Sequence, residues 1–91
     1  MIKKDINNKR KLIRDQEGLN LLATSIKQTR ENMKLTQEDL AHNANISVSQ
    51  VSRIENGTIN PTVSTIFHIA RAMKIPVSDL FKFTLGPLEQ S

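Results

Sequence analysis

The sequence predicts an all-α protein: a compact, five-helix domain behind a basic N-terminal extension. Three observations carry the fold class. Apolar residues recur at three- and four-residue steps, helix-start signals precede the short apolar stretches, and no segment alternates with period two long enough to form a strand. Residues 1–18 form the extension, 19–82 the folded domain, and 83–91 a tail.

The extension holds six basic side chains (Lys3, Lys4, Lys9, Arg10, Lys11, Arg14) against three acidic ones (Asp5, Asp15, Glu17), so most of the +4 net charge resides there. Ile2, Ile6 and Ile13 fall at roughly helical spacing, and Gly18 is expected to break the pattern. An amphipathic helix, a DNA-contacting arm and a frayed terminus all fit it. The first helix follows on Leu19, Leu22, Ile26, Arg30 and Met33, one face at steps of three and four. Lys34 closes it.

Thr36-Gln37-Glu38-Asp39 has the Thr-x-x-Asp form of a capping box, and its acids suit the positive end of a helix dipole. The second helix, about 37–44, has Leu40, Ala41 and Ala44 as its small apolar face. Ser47-Val48-Ser49-Gln50 starts a third, about 48–55, with Val51 and Ile54 inward and Asn56-Gly57 as a left-handed stop. Pro61 and Thr62 open a fourth helix carrying Val63, Ile66, Ile69, Ala70 and Met73. After Pro76, Val77–Phe81 reads as a short fifth. Two short helices joined by a tight turn, with small residues such as Ala41 at the contact, build a helix-turn-helix, although an ordinary helix corner has the same spacing.

Composition narrows the function. There are no cysteines, so disulfides and thiolate metal sites are excluded, and two histidines on different helices do not suggest a metal site. Neither GxxxxGK[ST] nor HExxH occurs, so neither an enzyme nor a cofactor is expected. No apolar run reaches membrane-spanning length, and Met1-Ile2-Lys3-Lys4-Asp5 lacks a secretory core. A cytoplasmic protein without membrane contact is the expectation.

Residues 35–61, Leu-Thr-Gln-Glu-Asp-Leu-Ala through Val-Ser-Arg-Ile-Glu-Asn-Gly and on to Pro61, resemble the lambdoid phage repressor and Cro family, the xenobiotic-response-element-type regulators. The likeness continues through Ile66–Val77 and covers about residues 19–82. It implies a transcriptional regulator, most simply a repressor, whose recognition helix 48–55 enters the DNA major groove. It gives Gln37 a phosphate-positioning role at the head of the preceding helix.

Ser47, Val48, Ser49 and Ser52 would then lie at or near the groove: serines donate or accept at base edges, and Val48 can touch a thymine methyl. These short side chains depart from the long Gln and Arg of relatives, which weakens direct readout. Gln50 either completes a cap box or reaches DNA, and Arg53 reaches a phosphate or a guanine. The resemblance also lays Asn56, Gly57 and Thr58 along the DNA backbone, with main-chain N–H groups facing phosphates. It pairs Arg30 with Glu55 as a structural brace. Leu80 and Phe81 are expected to close the core, while Phe83, Leu85 and Leu88 are left for a homodimer contact on a pseudo-palindromic site. The rival reading is a protein-interaction module, such as an antitoxin that binds a toxin.

Overall fold

A computed structural model describes residues 12–88, so Ile2, Ile6 and the basic residues 3–11 lie outside the described residues, as do 89–91. Among the described residues four α-helices and a closing 3-10 turn follow in order: α1 Gln16–Asn32, α2 Gln37–Ala44, α3 Val48–Glu55, α4 Val63–Ala72, and the turn Val77–Phe81. No strand occurs among the described residues.

Side-chain caps start all four helices. Asp15, Thr36, Ser47 and Thr62 accept from the backbone N–H groups of Gly18, Asp39, Gln50 and Thr65, satisfying donors that a helix start would otherwise leave orphaned. Here the expected boundary shifts. Among the described residues Gly18 breaks no helix; it lies inside the first turn of α1, because Asp15 caps a helix that begins at Gln16, three residues before Leu19.

At the other ends, Lys34, Asn45 and Lys74 take left-handed backbone angles, and Gly57 has φ +75°. The positive φ favours glycine there, and a Cβ would also displace the Asn20 side chain, whose Oδ1 lies 2.5 Å from its position.

Among the described residues only the box at Thr36 is complete: Thr36 Oγ1 accepts from Asp39 N at 2.9 Å, and Asp39 Oδ2 accepts from Thr36 N at 2.9 Å. The bonds to Thr36, its backbone N–H first, hold the Asp39 carboxyl below its ordinary value. A carboxyl with a lowered folded-state pKa stabilises the fold fully above the ordinary carboxylate range, about pH 4. That contribution disappears as pH falls through the lower folded value. Asp39→Asn should therefore be less stable than the unsubstituted chain near neutrality, and the gap should close in acid. Urea denaturation of both at a series of pH values reads it directly.

The core forms where the four helices and the closing turn meet. Ile26, Leu40, Val51, Ile69, Met73 and Leu80 are its largest fully buried side chains. α1 packs on α3 and the closing turn, and α2 packs on α3 and α4. Ala41 and Ala44 are buried between α2 and its neighbours, and Ala41 O accepts from Ile46 N as the chain turns into α3. These small side chains let two eight-residue helices approach closely enough to share one core.

Three sequence expectations fail at the apolar edges. Met33 and Val63 were placed on inward faces but are 42% and 64% exposed. Phe81 and Phe83 exchange roles: Phe83 packs against the core, while Phe81 is exposed. The 3-10 geometry is the reason. With three residues per turn, Val77 and Leu80 stack on one side and Phe81 turns outward, while Phe83 lies past the end of the turn, where the chain folds back onto the core. The bond from Phe83 N to Phe81 O at 2.9 Å holds that return.

Candidate nucleic-acid interface

α3 is two-sided. Val51, Ile54 and Glu55 are buried, whereas Val48, Ser49, Arg53 and the cap residue Ser47 are exposed; Ser52 and Gln50 are half-exposed. The outward positions 48, 49, 52, 53 and 56 form a single stripe at helical spacing. Ser47 Oγ accepts from Gln50 N at 3.0 Å, which leaves the hydroxyl proton available to an outside acceptor. The bond is only half of a cap box: the reciprocal bond, from Ser47 N to Gln50 Oε1, is not formed among the described residues.

The far end of α3 is anchored by charge. Arg30 Nε and Nη2 donate to Glu55 Oε2 at 2.7 Å and Oε1 at 3.0 Å, a two-pronged pairing in which both residues are only 8% exposed. Arg30 Nη1 donates to Leu35 O at 2.7 Å. The bond to Glu55 raises the Arg30 pKa above its ordinary value against the opposing effect of burial. The expected brace is present. Glu55 Oε1 also accepts from Gln37 Nε2 at 3.1 Å. Gln37 is thus oriented from behind at the head of α2, with its second amide hydrogen and its carbonyl oxygen still unassigned.

The loop after α3 departs from expectation. Its main-chain N–H groups were expected to face phosphates, yet all three are engaged within the protein. Asn56 N donates to Ser52 O, Gly57 N to Ile54 O, and Thr58 N to Arg53 O and Asn56 Oδ1. The Thr58 hydroxyl also turns back, toward Asn56 Oδ1 at 2.7 Å and Arg53 O at 3.2 Å. Terminating α3 tightly consumes these donors. Asn56 and Thr58 remain exposed, and the Asn56 amide nitrogen is the donor left to that pair.

Sequence reasoning missed what holds this loop. Arg14 Nη2 donates to Gly57 O at 3.2 Å and Thr58 O at 2.9 Å, and Gln16 Nε2 donates to Gly57 O at 2.9 Å. Gln16 Oε1 accepts from Arg14 Nε at 3.0 Å, and Asn20 Oδ1 accepts from Gln16 Nε2 at 2.9 Å. The partners lie more than forty residues apart, so no local spacing announces them.

A family model described as Helix-turn-helix matches residues 26–80, which include α2, α3, α4 and the turns between them. The chain belongs to that helix-turn-helix family. With membership comes its class, a DNA-binding transcriptional regulator.

This helix-turn-helix protein is 45% identical over 53 residues to the immunity repressor protein of Bacillus phage phi105. The match covers 58% of this chain but 37% of the repressor, so the chain spans little more than a third of that relative. It is 31% identical over 62 residues to an HTH-type transcriptional regulator of Archaeoglobus fulgidus, covering 68% and 87% of the two chains. The crystal structure of the restriction-modification controller protein C.AhdI from Aeromonas hydrophila superposes with a TM-score of 0.68 at 28% identity, covering 69% of this chain and 96% of that one.

No group of His, Asp and Glu side chains among the described residues is arranged to hold a metal ion. No helix among them is long and apolar enough to cross a membrane.

Proposed function

We propose that this chain is a sequence-specific repressor that lays α3 in the DNA major groove and binds a pseudo-palindromic site as a two-fold dimer. The observation that carries the reading is the free face of α3. Ser47, Val48, Ser49, Ser52 and Arg53 line one exposed or half-exposed stripe while the opposite face is locked into the core. Serines and a valine methyl offer hydrogen bonds and thymine contact at base edges. Arg53, Asn56 and Thr58 follow toward the backbone, and Gln37, oriented by Glu55, supplies the phosphate contact that sets register. No chemical step is needed; the protein acts by occupancy.

A second copy is the occupant we assign to the apolar surface across α1, α4 and the closing turn. Val63, Phe67, Phe81 and Leu85 are 64%, 43%, 46% and 49% exposed there, bordering two adjoining grooves. Contiguous apolar surface of this kind marks an interface. Of the residues first assigned to the dimer, Phe83 is taken by the core, while Leu85 and Leu88 remain exposed.

Selection of bound sites from random duplexes tests both claims. Two inverted half-sites about one helical turn apart are expected. No enriched sequence at any salt concentration would reject specific binding, and sedimentation as a monomer both free and on DNA would reject the dimer.

A further inference from the structure

The loop after α3 lies where the chain should meet DNA backbone, yet the N–H groups of Asn56, Gly57 and Thr58 are all used internally. The cation that reaches this loop comes from before α1: Arg14 Nη2 bonds the Gly57 and Thr58 carbonyls. We propose that Arg14, outside the helix-turn-helix itself, is a phosphate-binding residue of this interface and that Gln16 is its positioning residue. The inference rests on the DNA-binding reading above.

A guanidinium carries five N–H donors in a planar fork. Arg14 Nε is spent on Gln16 Oε1, and Nη2 reaches the Gly57 and Thr58 carbonyls. Both Nη1 hydrogens are left. No carboxylate pairs with Arg14 among the described residues, and the residue is exposed. Among the described residues the charge is therefore unneutralised, and it is accessible and already held in place. The side-chain ordering that usually weakens a surface arginine's contact is done by protein–protein bonds before DNA arrives. A phosphodiester oxygen fits the remaining donors, because guanidinium binds such oxyanions strongly and in plane. Gln16 contributes by gripping Gly57 O and Arg14 Nε together, with Asn20 fixing its amide.

The test is the salt dependence of binding to the selected duplex and to a scrambled one, with melting followed for each variant. Arg14→Gln removes the charge while keeping an amide donor for the carbonyls; Arg14→Lys keeps the charge. Each phosphate contact contributes about 0.9 to the slope of log affinity against log salt. Arg14→Gln should lower the slope by about that amount. Its affinity relative to the unsubstituted chain should then change about three-fold between roughly 50 and 200 mM salt, equally on both duplexes. Arg14→Lys should keep most of the slope. An unchanged slope in Arg14→Gln, with or without a lower melting temperature, would make Arg14 a structural brace only and overturn the proposal. Absence of salt-dependent DNA binding in the unsubstituted chain would instead remove the DNA-binding reading, and this inference with it.

Discussion

Arg30→Ala should cost about 3–5 kcal/mol of folding stability, the range for breaking a buried ion pair by removing one partner. Glu55 is 8% exposed and would be left buried without its guanidinium partner. The Leu35 carbonyl would lose its donor as well. A domain of this length is stable by roughly 5–14 kcal/mol, so one substitution removes a large share of the total. Arg30→Lys should rescue little, because three guanidinium nitrogens are used in a fixed geometry and one ammonium cannot reproduce it. The joint change Arg30→Met with Glu55→Leu should lose less than either single change, since no uncompensated charge is left buried. Urea unfolding of the set measures this. A loss below about 1 kcal/mol for Arg30→Ala would show that the pair is solvated, as exposed pairs are.

The joint variant also separates stability from binding. Without Glu55, Gln37 loses the bond that orients its amide, so DNA affinity should fall even where the fold is largely retained. The brace and the proposed phosphate contact are thus one device, linking α1, α2 and α3 through a single carboxylate.

How far these features could be read in advance depended on the distance over which each is determined. The caps at Thr36 and Ser47, the glycine stop after α3 and the inward Leu40, Val51 and Ile54 are settled within one helical turn, and all were legible. The start of α1 was also local, but an Asp15 cap followed by a glycine in the first turn looks like a terminus rather than a beginning. Phe81 was misassigned because the closing turn has a period of three, not 3.6, and Phe83 because it lies beyond that turn, where no helical spacing applies. The Arg30–Glu55 pair spans 25 residues and was available only through resemblance. Arg14 on the loop after α3 had neither signal. The same basic residue suits a frayed terminus, and only the folded chain brings it to Gly57 and Thr58.

Ser49→Glu should leave the fold intact and reduce affinity for the selected site on the order of 100-fold, the equivalent of about 3 kcal/mol. Ser49 is exposed in the first turn of α3, and its side chain is not the one that caps the helix. A carboxylate at that end of a helix is favoured by the dipole, typically by about 0.3–1 kcal/mol, and α3 has no acid of its own in its first turn. Thermal stability should therefore hold or rise. Against DNA the same charge is repelled by the phosphates flanking the groove and must shed water to enter it. Ser49→Ala, which removes a hydroxyl without adding charge, should cost far less, within the range of about 1–3 kcal/mol for one base-pair contact. Opposite signs for stability and affinity in one exposed substitution cannot arise from damage to the core. They require that the outward face of α3 is where DNA is met, and unaltered affinity in Ser49→Glu would move the binding surface elsewhere on the molecule.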